Sequence, residues 1–253
     1  MQRIGWLLLL VLLLTGCASQ TPQPSEATDW AEENPRDPFE DWNRSVFAFN
    51  DTLDTWFLKP VAQSYRWLTP SFFRTGVSNF FANLREPVHL VNNLLQAKPL
   101  DAGKDLLRFS INSSIGVLGL WDVATPLGLQ PSEEDFGQTL NAWGLPEGPY
   151  LVWPVLGGQT LTHTLSRPLD YRLTPPAYID DYYIQGGLLI VEGVNLRASL
   201  LDAERMISGD RYSFIRDAYM QRRDYLISDG ELQEDPFLED DFDDIDLDDA
   251  FAD

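Results

Sequence analysis

The chain has 253 residues, of which 44% are hydrophobic and 12% aromatic, and its formal net charge is −21. That acidity argues against nucleic acid as a partner, because neutralising a phosphate backbone needs Lys and Arg. A single cysteine rules out an internal disulfide framework, so the fold rests on packing.

The amino terminus is the most informative segment. Arg3 gives a positive start, Trp6 to Leu14 form an unbroken apolar run, and Leu14-Thr15-Gly16-Cys17 follows. This is the layout of a secretory signal peptide. The run is too short to span a bilayer, which takes roughly 20 residues. A cysteine directly after Leu-Thr-Gly is the bacterial lipobox pattern. It predicts removal of residues 1–16 and acylation of Cys17, and several acyl chains hold a protein stably on a membrane where one does not. Ala18 follows in place of an aspartate, so the expected address is the outer membrane, lipid-anchored at its periplasmic face. Residues 17–36, rich in Ser, Thr, Pro, Gln and Glu, read as a lipidated flexible linker.

Residues 37–230 read as one all-α domain of many short helices broken by prolines. Asp37 is an expected N-cap with Pro38 at the first helical position. Phe39, Trp42, Val46, Phe49, Leu53 and Trp56 then recur at steps of three and four. Lys59-Pro60 is the expected end of this helix. Thr69-Pro70 restarts a helix to Leu84, Pro87 another to Leu95, and Pro99 a third holding Leu106, Leu107, Phe109, Ile111 and Ile115. Ser132 with Asp135 forms an expected capping box for a helix to Trp143. Tyr150 to Trp153 is the best strand candidate, though prolines bracket it. Asp180 to Ile207 is helical in pattern, weakened by Gly186, Gly187 and Gly193. Asp210 caps a last helix that stops near Gly230. Residues 231–253 are expected to form an acidic disordered tail: from Asp229 onward there are thirteen acidic residues and no Lys or Arg.

Two segments, Gly116 to Trp121 and Leu145 to Gly158, are apolar, rich in Gly and Pro, and not periodic. Loops are normally polar because they face water, so these are expected to pack on the core or on lipid. Catalytic chemistry is not visible. His89 and His163 have no Cys or carboxylate at ligand spacing, so no metal or cofactor is expected. No nucleophile elbow or phosphate loop occurs. The expectation is a protein that is not an enzyme.

Several blocks in one order resemble the MlaA (VacJ) family of lipoproteins. They begin with Asp37-Pro38-Phe39-Glu40-Asp41-Trp42-Asn43-Arg44 and run through Phe47-Ala48-Phe49-Asn50. Arg74 to Phe81, Glu86-Pro87, Arg108-Phe109 and Asn112 to Gly116 continue the likeness, as do Asp135 to Leu140, Gly148 to Leu151 and Arg216 to Tyr219. The resemblance covers about Asp37 to Gly230. It implies a ring-like helical protein, monotopic in the outer membrane beside a trimeric porin. It also implies a channel that takes phospholipid from the outer leaflet and hands it to a periplasmic carrier protein, maintaining lipid asymmetry. On that reading Asn43, Arg44, Phe47 and Asn50 are candidate channel residues. Phe136, Gly137, Trp143, Gly144, Gly148 and Tyr150 mark a candidate gating or porin-facing segment. Two other classes stay open: a structural envelope lipoprotein that braces porins without moving lipid, and a lipid hydrolase with an unrecognised site.

Overall fold

Residues 34–230 are described by the computed structural model. The signal peptide, Cys17, nearly all of the linker and the acidic tail lie outside the described residues.

The first helix, α1 (Glu40–Leu53), starts two residues later than the capping pattern suggests. Asp37 does not cap it. Its carboxylate instead accepts from Asn43 and from Tyr212. Nor does Pro60 end the run. A five-residue π-turn, Asp54–Leu58, leads straight into α2 (Lys59–Leu68). In this turn the Lys59 N–H reaches back five residues, to Asp54 O. The wide turn changes the register just before Pro60, which has no N–H to offer. The chain therefore runs helically from Glu40 to Leu68.

The expected break at Pro87 is also absent. Helix α3 (Ser71–Leu95) carries Pro87 in its interior. Its neighbour α4 (Pro99–Ser114) opens with proline at the first position, as the sequence suggests. Around Pro87 the lost backbone bond is offset by contacts between the two helices. Asn83 donates to Ser113, and Arg108 donates to Glu86. Tertiary contacts of this kind override local propensity.

Helix α5 (Phe136–Ala142) is capped by Asp135, which accepts from Gln138 N–H at 2.9 Å. Ser132 turns away to donate to Asp105. Strand β1 (Tyr150–Trp153) pairs antiparallel with β2 (Gly157–Thr160), with Tyr150 opposite Thr160 and Trp153 opposite Gly157. Helix α6 (Leu161–Leu173), capped by Thr160 and carrying Pro168 inside it, has no counterpart in the sequence expectations. Helix α7 (Tyr182–Leu200) is capped by Asp181 and absorbs all three of its glycines. Helix α8 (Arg211–Ile227) is capped by Asp210. Beyond it Gly230, at φ +83°, donates its N–H to Tyr225 O.

The packing is inverted relative to a water-soluble protein. Among the described residues twelve apolar side chains are buried, against twenty polar or charged ones. Meanwhile 42 large hydrophobic side chains are exposed. In α4 the buried stripe is Ala102, Asp105, Arg108 and Asn112, at helical spacing, while Leu106 and Leu107 face out. In α1 the buried pair is Asn43 and Val46, while Trp42 and Phe49, and Phe39 just before the helix, face out. No described helix is long and apolar enough to cross a membrane.

Arg223 is the largest fully buried side chain, and it holds Asp135 and Glu147. Breaking a buried ion pair leaves an uncompensated charge, which destabilises by about 3–5 kcal/mol. Arg223→Ala should therefore lower stability by about that amount in chemical denaturation of the detergent-solubilised protein. Asp224→Ala, which breaks the half-exposed pair with Arg36, should cost under about 1 kcal/mol.

Candidate functional site

The inward faces of α3 and α4 build a polar spine. Arg108 is its centre: it donates to Glu86 Oε1 at 2.7 Å and to Thr125, and it faces Asp122. Asn112 accepts the backbone N–H groups of Val123 and Ala124 and donates to Asp122. One turn further along, Asn93 donates to Asp105, and Asn92 joins Thr139 to Asp170. Arg223 then carries the spine through Asp135 and Glu147 into α8. Two buried acceptors on α3, Glu86 Oε2 and Asn83 Oδ1, have no direct donor.

This arrangement shifts the carboxyls. Burial pushes Glu86 up to about 7, against the pull of Arg108. Burial pushes Asp170 up to about 6, with the charge of Asp135 adding to it. Asp135 is held below the usual range: burial works the other way but is outweighed, chiefly by Arg223. Both histidines are pushed down by burial. His89 Nδ1 lies 2.7 Å from Glu134 O, and His163 stacks on Tyr219 with Nδ1 2.8 Å from its hydroxyl.

The sequence-predicted residues of α1 divide. Asn43 is fully enclosed, so it does not line an open path. Its amide donates to Asp37 and to Tyr150 O and accepts from Val152 N–H, which fastens β1 to α1. An Asn suits this place because one amide offers both donors and an acceptor. Asn50 does the same at the hairpin tip, donating to Trp153 O and accepting from Val155 N–H. Arg44 is half-buried: it binds Glu40 and Asp210, and its guanidinium lies 4.5 Å from the Tyr212 ring centroid. Phe47 meets Tyr212 edge-on. Arg44, Phe47 and Tyr212 thus form one cluster, with Arg216 beneath it on Asp37.

The predicted segment Phe136 to Tyr150 is fixed at both ends. Gly137 is required by close approach, since a Cβ there would meet Asp135 and Arg223 at about 3 Å. Tyr150 is buried among α1 and α8 residues. Between these ends Gly144 and Gly148 take positive φ, and Trp143, Gly144 and Leu145 are exposed. Trp143 rests edge-on against Phe136 and donates its indole N–H to Leu95 O.

Sequence reasoning named many of the spine residues only as parts of matching blocks. The signal that could have identified them is the polar stripe Asp105-Arg108-Asn112, whose spacing of three and four marks it as one helix face.

The profile of the family described as MlaA lipoprotein matches residues 35–226. The intermembrane phospholipid transport system lipoprotein MlaA of Shigella flexneri is 36% identical over 96% of this chain and 98% of its own length. The protein of the same description in Escherichia coli (strain K12) is 35% identical with the same coverage. That of Haemophilus influenzae is 30% identical over 90% of this chain and 91% of its own. A solved structure described as the structural basis for maintenance of bacterial outer membrane lipid asymmetry superposes with a TM-score of 0.68. It is 37% identical and covers 76% of this chain and 98% of that one.

Glu86 gives the spine a pH dependence. A carboxyl raised in the folded state favours folding below its unfolded value, and that contribution is lost as pH rises through the folded value. Its share of stability should therefore fall between about pH 5 and about pH 7. Glu86→Gln should flatten the stability–pH curve over that window, as read by thermal unfolding at a series of pH values.

Proposed function

The chain belongs to the MlaA family of lipoproteins, and from that premise we infer an outer-membrane lipoprotein of an intermembrane phospholipid transport system. The observation that carries this reading is the inversion of the fold. Forty-two large hydrophobic side chains exposed around a polar interior would be an aggregation hazard in water. In lipid the same surface is solvated. Its relatives are named as lipoproteins of intermembrane phospholipid transport, and lipid is a solvent that such a protein meets.

On this reading acylation at Cys17 tethers the domain to the outer membrane, and the apolar surface settles into the leaflet from the periplasmic side. A charged headgroup crossing a leaflet is costly without polar partners. A polar interior beside an apolar exterior supports a domain that carries a headgroup past the leaflet. Phospholipid then passes from the outer leaflet through the domain to a soluble periplasmic carrier, which keeps the outer leaflet free of phospholipid. Arg44 and Asn50 of α1 carry partly open polar groups suited to such a path, Phe47 packs beside Arg44, and Asn43 positions the hairpin that flanks them. The exposed stretch Trp143 to Leu145, held at Gly137 and Tyr150 and carrying Gly144 and Gly148, is the face offered to a trimeric porin. Transfer needs no covalent step.

The test is the amount of phosphatidylethanolamine on the surface of intact cells, read with a membrane-impermeant amine-reactive label. Deleting the gene should raise it. Complementation with the wild-type chain should restore it, and with Cys17→Ala should not. An unchanged surface in the deletion strain would set transport aside in favour of a lipoprotein that braces porins without moving lipid.

A further inference from the structure

An apolar groove of about 310 Å³ runs between α3 and α7. Val77, Phe80 and Phe81 line it from α3, Ile184 and Val191 from α7, and Leu120 from the loop after α4. None of its lining residues belongs to the α1 cluster or to the Phe136–Tyr150 segment. Its size is at the lower end for a ligand pocket, so it suits part of one chain and not a whole lipid.

Three features say what fills it. The first is Gly187 on its wall. A glycine inside a helix is unfavourable by about 1 kcal/mol relative to alanine. Close packing does not require it here, because a Cβ on Gly187 would meet nothing within 4 Å. The missing side chain leaves the groove open. The second is continuity: Ile184 and Val191 are themselves half-exposed, and they run into the exposed Leu189 and Ile190. The groove is therefore an inlet from the outward apolar surface. The third is charge. Arg85 stands one turn beyond Phe81 on α3, half-exposed, and binds Glu192, which follows Val191. An apolar slot beside an accessible guanidinium matches an acyl chain with its phosphodiester, since Arg is suited to phosphate oxygens.

The geometry points to this groove as an acyl-chain site for a glycerophospholipid, with the lipid phosphate over Arg85. The inference rests on the phospholipid-transport reading and gives that reading a place where the lipid is held. A lipid seated there has one chain withdrawn from the bilayer, and its headgroup leaves Glu192 to compete with phosphate for Arg85. The Ser78–Asn195 bond joins the same two helices and keeps the groove walls together while the chain enters.

The probe is a phosphatidylethanolamine carrying a diazirine near the end of one acyl chain. It is added in increasing amounts to the acylated full-length protein in detergent micelles, irradiated, and mapped by peptide mass spectrometry. Labelling on the outward surface should rise in proportion to the probe. Labelling of Val77 to Phe81 and of Ile184 to Val191 should saturate near one lipid per protein. Gly187→Leu fills the groove with a better helix former, and it should cut the saturable labelling about tenfold with thermal stability retained. Arg85→Ala should weaken labelling by the phospholipid but not by a diazirine fatty acid. Saturable labelling that maps elsewhere, or that survives Gly187→Leu, overturns the proposal. So does equal labelling by the fatty acid and the phospholipid with no dependence on Arg85. Surface phospholipid in the deletion strain is read in parallel. If it does not change, the transport reading fails by itself, whereas saturable labelling sensitive to Gly187→Leu supports the groove independently.

Discussion

The buried ionic and amide spine on α3 and α4 is the constraint on which the other elements depend. Arg108 and Glu86 sit almost fully enclosed at its centre, and Asn92, Asn93 and Asp105 extend it. Apolar burial between these helices is limited: only Phe81, Val88 and Ala102 are buried apolar residues there, while Phe72, Phe73, Leu94, Leu95, Leu100, Leu106 and Leu107 are exposed. In a lipid environment helices associate through packing and hydrogen bonds and not through the hydrophobic effect. A polar interior supplies that kind of contact. Its groups must then be paired almost completely, because an unpaired buried charge is far more expensive than an unpaired surface one.

The same logic explains how irregular segments are held without a conventional core. The chain after α4 passes through Val117 and Leu118, both at positive φ, conformations that cost non-glycine residues of order 1 kcal/mol or more. Asn112 and Asp122 hold the base of that turn by accepting three backbone N–H groups. The hairpin is treated likewise. Asn43 grips β1 at its start and Asn50 grips the tip, so two amides on one helical face fix a two-stranded element that would be marginal alone. Polar side chains do the positioning, and many of the large apolar ones are left exposed.

Much of this was legible in the sequence, and the failures share a cause. The helical class, the cap at Asp210, the helix start at Pro99 and the strand at Tyr150 follow from local rules. The structure departs from the expected proline boundaries: Pro60 follows a π-turn, and Pro87 lies within a helix braced by Asn83 and Glu86. There a change of register or tertiary contacts replaced what proline removes, while α6, with Pro168 inside it, has no counterpart in the sequence reading. The apolar stripe of α1 was readable, but which way it faced was not. Periodicity marks a face without saying whether water or lipid lies beyond it. Asn43 shows the limit for the site as well. Its place in a matching motif singles it out, and only the fold shows that it is enclosed and acts by holding β1.

The central claim is that the outward apolar surface is solvated by lipid. Single-cysteine spin labels at Trp67, Leu118 and Ile190, and at the exposed polar control Asp202, test it in full-length acylated protein reconstituted in phospholipid nanodiscs. Power saturation compares access of oxygen, which partitions into bilayers, with access of a water-soluble nickel chelate. The account predicts high oxygen access and low nickel access at the three apolar positions, with the reverse at Asp202. Nickel access at all three equal to that at Asp202 would contradict it, because the exposed hydrophobic side chains would then be facing water.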